Sequence, residues 1–234
     1  MSRPRVSHLA IGCAALAVLT TGCSLSGMGP SKGAERTYTV DGTVSSVAAR
    51  TSGGTIEVVP VDAGGPVKVT EKYSYTGSKP HPDHSLKSGR LSLNAPSCKN
   101  MGDRCTVNYR VRVPRGADVD LHTSGGDITV RGMSGSVAAE TSGGDITLDD
   151  SAARTAKVRT SGGNVTAGFT KVPDDVSGRT SGGDVTIRLP KGTYAVDAST
   201  SGGSRKVSVT TNDSAAHKVA AHTSGGDVSV VPAS

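Results

Sequence analysis

ETSGGDITL, residues 140–148, contains a phrase that the chain writes seven times: Thr-Ser-Gly-Gly begins at Thr51, Thr123, Thr141, Thr160, Thr180, Thr200 and Thr223. A catalytic motif normally occurs once, because one reaction needs one constellation of groups. A phrase that returns about every two dozen residues or fewer marks a building unit. Around it the apolar side chains alternate with a period of two. Val137 and Ala139 precede Thr141 and Ile146 and Leu148 follow its corner; Val119, Leu121, Ile128 and Val130 do the same around Thr123. That period belongs to half-buried strands, and no segment sustains a helical one. Each unit therefore reads as strand, corner, strand.

The corners are the glycine pairs Gly53 and Gly54, Gly125 and Gly126, Gly143 and Gly144, Gly162 and Gly163, Gly182 and Gly183, Gly202 and Gly203, and Gly225 and Gly226. Paired glycines are expected to supply backbone angles that other residues avoid, with the flanking Ser and Asp bonding the turn amides. From Thr123 onward the phrases start 18, 19, 20, 20 and 23 residues apart. That length suits one coil of a parallel β-solenoid, in which equivalent residues stack in columns. An antiparallel meander or sandwich also satisfies the alternation but gives no reason for one corner to recur in one phase. The expected fold is thus all-β, a parallel solenoid of TSGG-cornered repeats of about 18–23 residues. A core of Val, Ile, Leu and Ala with a single Phe fits narrow coils.

Between Thr51 and Thr123 the pattern changes. PVKVTEKYSY, GRLSLNA and CTVNYRVRVP read as longer alternating strands, with Val67, Val69, Tyr73 and Tyr75 on one face and Val107, Tyr109, Val111 and Val113 on another. A small antiparallel sheet inserted after the first repeat is expected here. The polar stretch at 76–88, TGSKPHPDHSLKS, is its longest loop and a candidate contact surface. In the unit TSGGSRKVSV, Arg205 and Lys206 stand where an apolar residue is expected, which predicts a bulge. The last unit, SGGDVSVVPAS, is expected to form the outer edge, with Pro232 as its stop.

The N-terminus supplies an address. Arg3 and Arg5 precede an apolar run from Leu9 to Leu19, too short to span a bilayer and shaped like an export signal. Leu19-Thr20-Thr21-Gly22-Cys23 resembles the lipobox of bacterial lipoproteins, with Thr20 where that pattern usually has Leu. The resemblance implies diacylation of Cys23 and a protein held at the cell membrane on its extracytoplasmic face. Residues 1–22 are then signal, 23–36 a Gly/Ser/Pro tether, 37–122 an N-terminal β segment carrying the first repeat and the inserted strands, and 123–234 the repeat region. Without residues 1–22 the 26 basic and 20 acidic residues become 24 and 20. Charge so scattered, with 3% aromatic residues and no Trp, argues against nucleic acid as a partner. Outside the reducing cytosol Cys98 and Cys105 are expected to form a disulfide. Joining them instead to His81 and His84 around zinc does not match the usual ligand spacing.

VRVPRGADVDLHTSGGDITV, with its partial echo IRLPKGTYAVDASTSGGS at 187–204, resembles the bacterial putative-adhesin family of β-strand-repeat proteins of unknown function. The resemblance covers the chain from about residue 38 onward. It implies a β-repeat domain at the cell surface with an adhesive or scaffolding role, and it supplies no catalytic residues.

The repeated serines lie in no G-x-S-x-G elbow, and no phosphate-binding G-x-x-x-x-G-K-[ST] occurs. Asp127, Asp145, Asp184 and Asp227 follow the glycines, with Asn164 in the same place, and stacked coils would bring like charges together. A bound Ca²⁺ would relieve that repulsion, yet the spacing departs from the nine-residue repeat of calcium-binding rolls; capping of turn amides is the simpler account. The sequence thus points to a non-catalytic, lipid-anchored envelope protein binding a protein or glycan, with no cofactor. The alternative is a ligand- or metal-sensing accessory module of an envelope signalling system.

Overall fold

The computed structural model describes residues 31–62, 64–98 and 103–233. Its strands begin with β1 (Lys32–Val40), β2 (Ser46–Thr51), β3 (Ile56–Pro60), β4 (Val67–Tyr75), β5 (Asp83–Lys87), β6 (Arg90–Ala95) and β7 (Cys105–Val113). The repeats follow as β8 (Asp118–Thr123), β9 (Ile128–Arg131), β10 (Val137–Thr141), β11 (Ile146–Ser151), β12 (Thr155–Arg159), β13 (Val165–Phe169), β14 (Asp175–Arg179) and β15 (Val185–Leu189). The chain ends with β16 (Thr193–Ser199), β17 (Arg205–Val207), β18 (Thr210–Thr211), β19 (Lys218–His222) and β20 (Val228–Pro232). β1 begins at Lys32, inside the stretch expected to be tether.

These strands form two ten-stranded sheets, one ordered β1-β4-β7-β3-β9-β11-β13-β15-β20-β17 and the other β18-β16-β19-β14-β12-β10-β8-β2-β6-β5. Each TSGG crosses from the second sheet to the first, so every unit is one coil, and the coils pair in parallel. The fold is the expected parallel solenoid. Columns of equivalent residues run its length: Ile56, Ile128, Ile146, Val165, Val185 and Val228 lie in register in the first sheet, and all are buried. Val47, Val119, Val137, Ala156, Val176 and Val219 do the same in the second.

The corner explains why the phrase repeats. Each phrase threonine is turned inward, fully buried at Thr123 and partly covered at the terminal Thr200. Its hydroxyl donates to the carbonyl of the preceding coil's second glycine: Thr141 to Gly126, Thr160 to Gly144 and Thr180 to Gly163, at 2.7–3.0 Å. The same oxygen accepts the N–H of its own second glycine at 3.3 Å in these three coils. One side chain thus satisfies two buried backbone groups, which would otherwise be left without partners.

The glycine requirement differs from the expectation. None of the corner glycines has a left-handed φ; positive values occur at Gly42, Gly64, Gly77, Gly89 and Gly132. The second glycine is needed because the coils approach too closely for any side chain: a Cβ on Gly144 would lie 2.1 Å from the Gly126 carbonyl oxygen. The first glycine has ordinary room, with the nearest atom to a Cβ on Gly143 at 3.7 Å.

Two features of the stacking depart from chain order. The last unit does not form the edge: β19–β20 is inserted between β14–β15 and β16–β17. Its Val219, Ala221, Val228 and Val230 are completely apolar inward positions, and the interior of the stack buries them on both sides. The unit carrying Arg205 and Lys206 takes the end instead, without the predicted bulge. Arg205 is the register partner of Val228, remains exposed, and donates to the Ala198 carbonyl at 2.8 Å. A coil with one neighbour tolerates a cation at an inward position, and short charged strands such as β17 discourage edge pairing.

At the other end, β6 and β7 form a coil without TSGG, parallel to β2 and β3. β4 then extends the first sheet antiparallel to β7, β1 follows antiparallel to β4, and β5 extends the second sheet antiparallel to β6. The antiparallel insertion is present, but its strands continue both solenoid sheets rather than forming a separate one. Residues 37–122 and 123–234 accordingly share one stack.

Substituting Gly144→Ala is expected to lower unfolding stability by about 2 kcal/mol or more through overpacking against backbone. Gly143→Ala is expected to cost less than ~1 kcal/mol, the ordinary range for an accessible site. Urea titrations of the two variants check the asymmetry.

Candidate functional site

Three places collect polar groups. The first is the ladder beside the corners. Asp127 Oδ1 accepts the Asp145 N–H at 2.9 Å, Asp145 Oδ1 the Asn164 N–H at 2.7 Å, Asn164 Oδ1 the Asp184 N–H at 2.9 Å, and Asp184 Oδ1 the Asp227 N–H at 2.8 Å. Asp227 then caps the Ser204 N–H. Each side chain caps the next coil rather than its own turn, and neutral Asn164 separates two pairs of like charges. Among the described residues no three His, Cys, Asp or Glu side chains are grouped to hold a metal ion.

The second place is the capped end. The column that runs Ile128–Ile56 continues through Tyr109 to Glu71, which is buried. Glu71 accepts hydrogen bonds from Tyr38, at 2.9 Å, and from Tyr73, while the buried Tyr109 hydroxyl has no partner among the described residues. Burial, reinforced by the Glu71 carboxylate, pushes the Tyr38, Tyr73 and Tyr109 hydroxyls above their ordinary value. Glu71 stands between Val69 and Tyr73 at an inward position of β4, and sequence reasoning did not single it out.

Near this end, Cys98 and Cys105 are bonded with their Cα atoms 5.7 Å apart, closing the coil that lacks TSGG. The 76–88 stretch is not all loop, because Asp83–Lys87 is β5. The remainder borders a recess of about 420 Å³ lined by Lys79, His81, Asp83, Asp103 and the disulfide. His84 is turned elsewhere, its ring 4.5 Å from that of Tyr38, so no Cys/His site assembles. Cys23 lies outside the described residues.

The third place is the outer face of the second sheet. Three depressions, of about 510, 260 and 400 Å³, share lining residues: Asp120, Ala138 and Lys157 join two of them, and Asp175 and Ala220 join the third. Together they make one trough running across the strands from β6 to β16. Its middle row of outward side chains is small at Ala138, Ser177 and Ala220, with Asp120 and Lys157 standing in the same row, and the corner-side row carries the longer His122, Glu140, Arg159 and Arg179. His122 lies in one wall, 3.6 Å from Glu140. His222 contacts Asp197 at 3.3 Å and the Ser199 hydroxyl at 2.8 Å. Sequence reasoning missed the trough, which depends on the register between strands of successive coils.

The model of the family described as Toastrack DUF4097 matches residues 34–231. The chain belongs to this family. A solved structure from Bacteroides fragilis NCTC 9343, a putative adhesin, is 15% identical, with 85% of this chain and 97% of that one covered at a TM-score of 0.50. A putative cell adhesion protein from Clostridium sporogenes ATCC 15579 is 12% identical, with 86% and 100% covered at a TM-score of 0.49. Comparison with curated protein sequences gives no match. The likeness to the Bacteroides protein is one of fold, and it agrees with the Toastrack assignment of a β-repeat solenoid.

Two outcomes follow from this geometry. Because the ladder carboxylates are engaged by backbone, EDTA or added Ca²⁺ is expected to leave the thermal midpoint unchanged. Tyrosine ionises near pH 10 in an unfolded chain, and Tyr38, Tyr73 and Tyr109 hold their protons to higher pH when folded. Their contribution is fully present below pH ~10 and is lost as pH rises above it, since the folded state then binds more protons than the unfolded one. Urea midpoints measured from pH 8 to 11 are expected to fall above pH ~10, with a shallower fall in Tyr73→Phe.

Proposed function

We propose that this Toastrack protein is a non-catalytic binding protein of the cell envelope, tethered by lipid at Cys23, that engages a protein or glycan at the extracytoplasmic surface. The observation that carries the reading is the continuous trough on a rigid sheet. It spans eight strands, roughly 34 Å at about 4.8 Å per strand, a shape suited to an extended partner. The relatives described as adhesins support a surface role, and the lipobox-like residues at 19–23 support the anchor. Two acyl chains at Cys23 hold a protein stably where one is marginal. The recess beside the disulfide favours a second use, as a ligand-sensing module, because it is a compact hollow with a few convergent polar groups.

Photo-crosslinking on intact cells tests the reading, with probes at Ala138 and Ala220 in the trough, at Lys79 in the recess, and at Thr147 on the opposite sheet. Recurrent adducts from the trough positions alone are expected. Adducts confined to Lys79 would favour the sensing module, and equal labelling from all sites would remove the trough as a binding surface. Cys23→Ser is expected to move the protein from the membrane fraction to the medium; retention at the membrane would overturn the anchor.

A further inference from the structure

The centre of the trough discriminates among occupants by charge. Lys157 and Arg159 on β12 and Arg179 on β14 line it together, and Arg159 and Arg179 are register partners on adjacent strands. All three are exposed. Among the described residues none has a carboxylate within ion-pair distance, whereas Asp120 is held by Arg50 and Arg90. Two neighbouring guanidinium groups and an ammonium group present donors suited to anionic oxygens, with forked geometry at each arginine.

The trough is not uniformly basic, however. Asp118, Asp120, Glu140, Asp175, Asp197 and Asp213 line it as well, Glu140 being the register partner of Arg159, with Ser46, Ser136 and Thr155 towards the β6 end. A polymer with an anion on every unit would set some of its charges against these carboxylates. One that separates its acid groups by neutral, hydroxyl-rich rings places anions on the cations and lets sugar hydroxyls donate to the carboxylates. No Phe, Tyr or Trp side chain lines the three depressions, so a neutral glycan would lack both a large stacking platform and the charge term. The trough's length admits several sugars in a row.

Resting on the surface-binding reading above, we infer that the trough binds an extended acidic polysaccharide in which carboxylate-bearing sugars alternate with neutral ones, with Lys157, Arg159 and Arg179 pairing the carboxylates.

Affinity electrophoresis of the full-length purified protein tests this, using hyaluronan as the alternating acidic probe, polygalacturonate as the uniformly acidic one, dextran as the neutral one and inorganic polyphosphate as the dense anion. Hyaluronan is expected to retard the protein most and dextran not at all, with retardation weakening as salt rises. The double substitution Arg159→Gln and Arg179→Gln, and separately Ala138→Trp, which fills the trough floor, are each expected to weaken the hyaluronan interaction about tenfold or more. Thermal midpoints of both variants, whose substitutions are at exposed positions, report that they remain folded. The inference is overturned if neither acidic polysaccharide binds at low salt, if folded trough variants bind as the parent does, or if polyphosphate binds more tightly than hyaluronan. Trough crosslinks on cells without polysaccharide binding would remove the ligand class and leave the surface reading standing. Polysaccharide binding without such crosslinks would remove the surface reading alone.

Discussion

Close approach of consecutive corners is the constraint on which the rest of the molecule depends. The second glycine of each phrase lies so near the preceding carbonyl that a methyl group has no place, and the phrase threonine uses that proximity to bond both the carbonyl above and the amide of its own turn. Because the same contact is made at every step, successive coils are held in one register. Register then decides everything outward: the apolar columns coincide, the ladder side chains reach the next amide, and the outward rows of the second sheet align into a trough. A slip of one residue would turn each inward Val or Ile to solvent, so core and corner enforce the same alignment.

Stacking order is governed by a different rule, that a coil must suit the number of its neighbours. The units at 200 and 223 share the corner phrase, so either could have followed the coil at 180 by corner geometry alone. Their inward residues separate them. Val228 and Val230 require cover on two sides, while Arg205 at the equivalent place requires an open one. The chain therefore passes over a vacant level, lays down its end coil, and returns to fill the gap. Burial of apolar area outweighs the small entropic cost of the longer connection, since loop-closure cost grows only logarithmically with length.

This explains how far the sequence could be read. The repeat phrase and the alternation were sufficient for the solenoid, because both are local and recur in phase around each corner. Arg205 was visible as an exception, but its meaning depended on whether the unit had one neighbour or two, which no local pattern states. The coil built from β6 and β7 escaped notice for the converse reason: its register is solenoidal, yet a disulfide-closed loop stands in place of TSGG. Glu71 was hidden inside a strand that alternates correctly, since an acid at an inward position is legible only once Tyr38 and Tyr73 are known to face it.

The same reasoning bears on why the two faces differ in what they can bind. In the first sheet the outward row beside the corner carries Thr129, Thr147, Thr166 and Thr186 in register, side chains of one size that leave a level surface. In the second sheet the corresponding choices are unequal, with alanine or serine beside lysine in one row and beside arginine in the next, and that unequal size is what makes a depression. A solenoid core tolerates almost any outward residue, because outward positions contribute little to the columns that hold the coils together. The small outward side chains at Ala138, Ser177 and Ala220 and the cations Lys157, Arg159 and Arg179 are therefore not dictated by packing, and the proposed recognition of an extended partner is a reading that uses both.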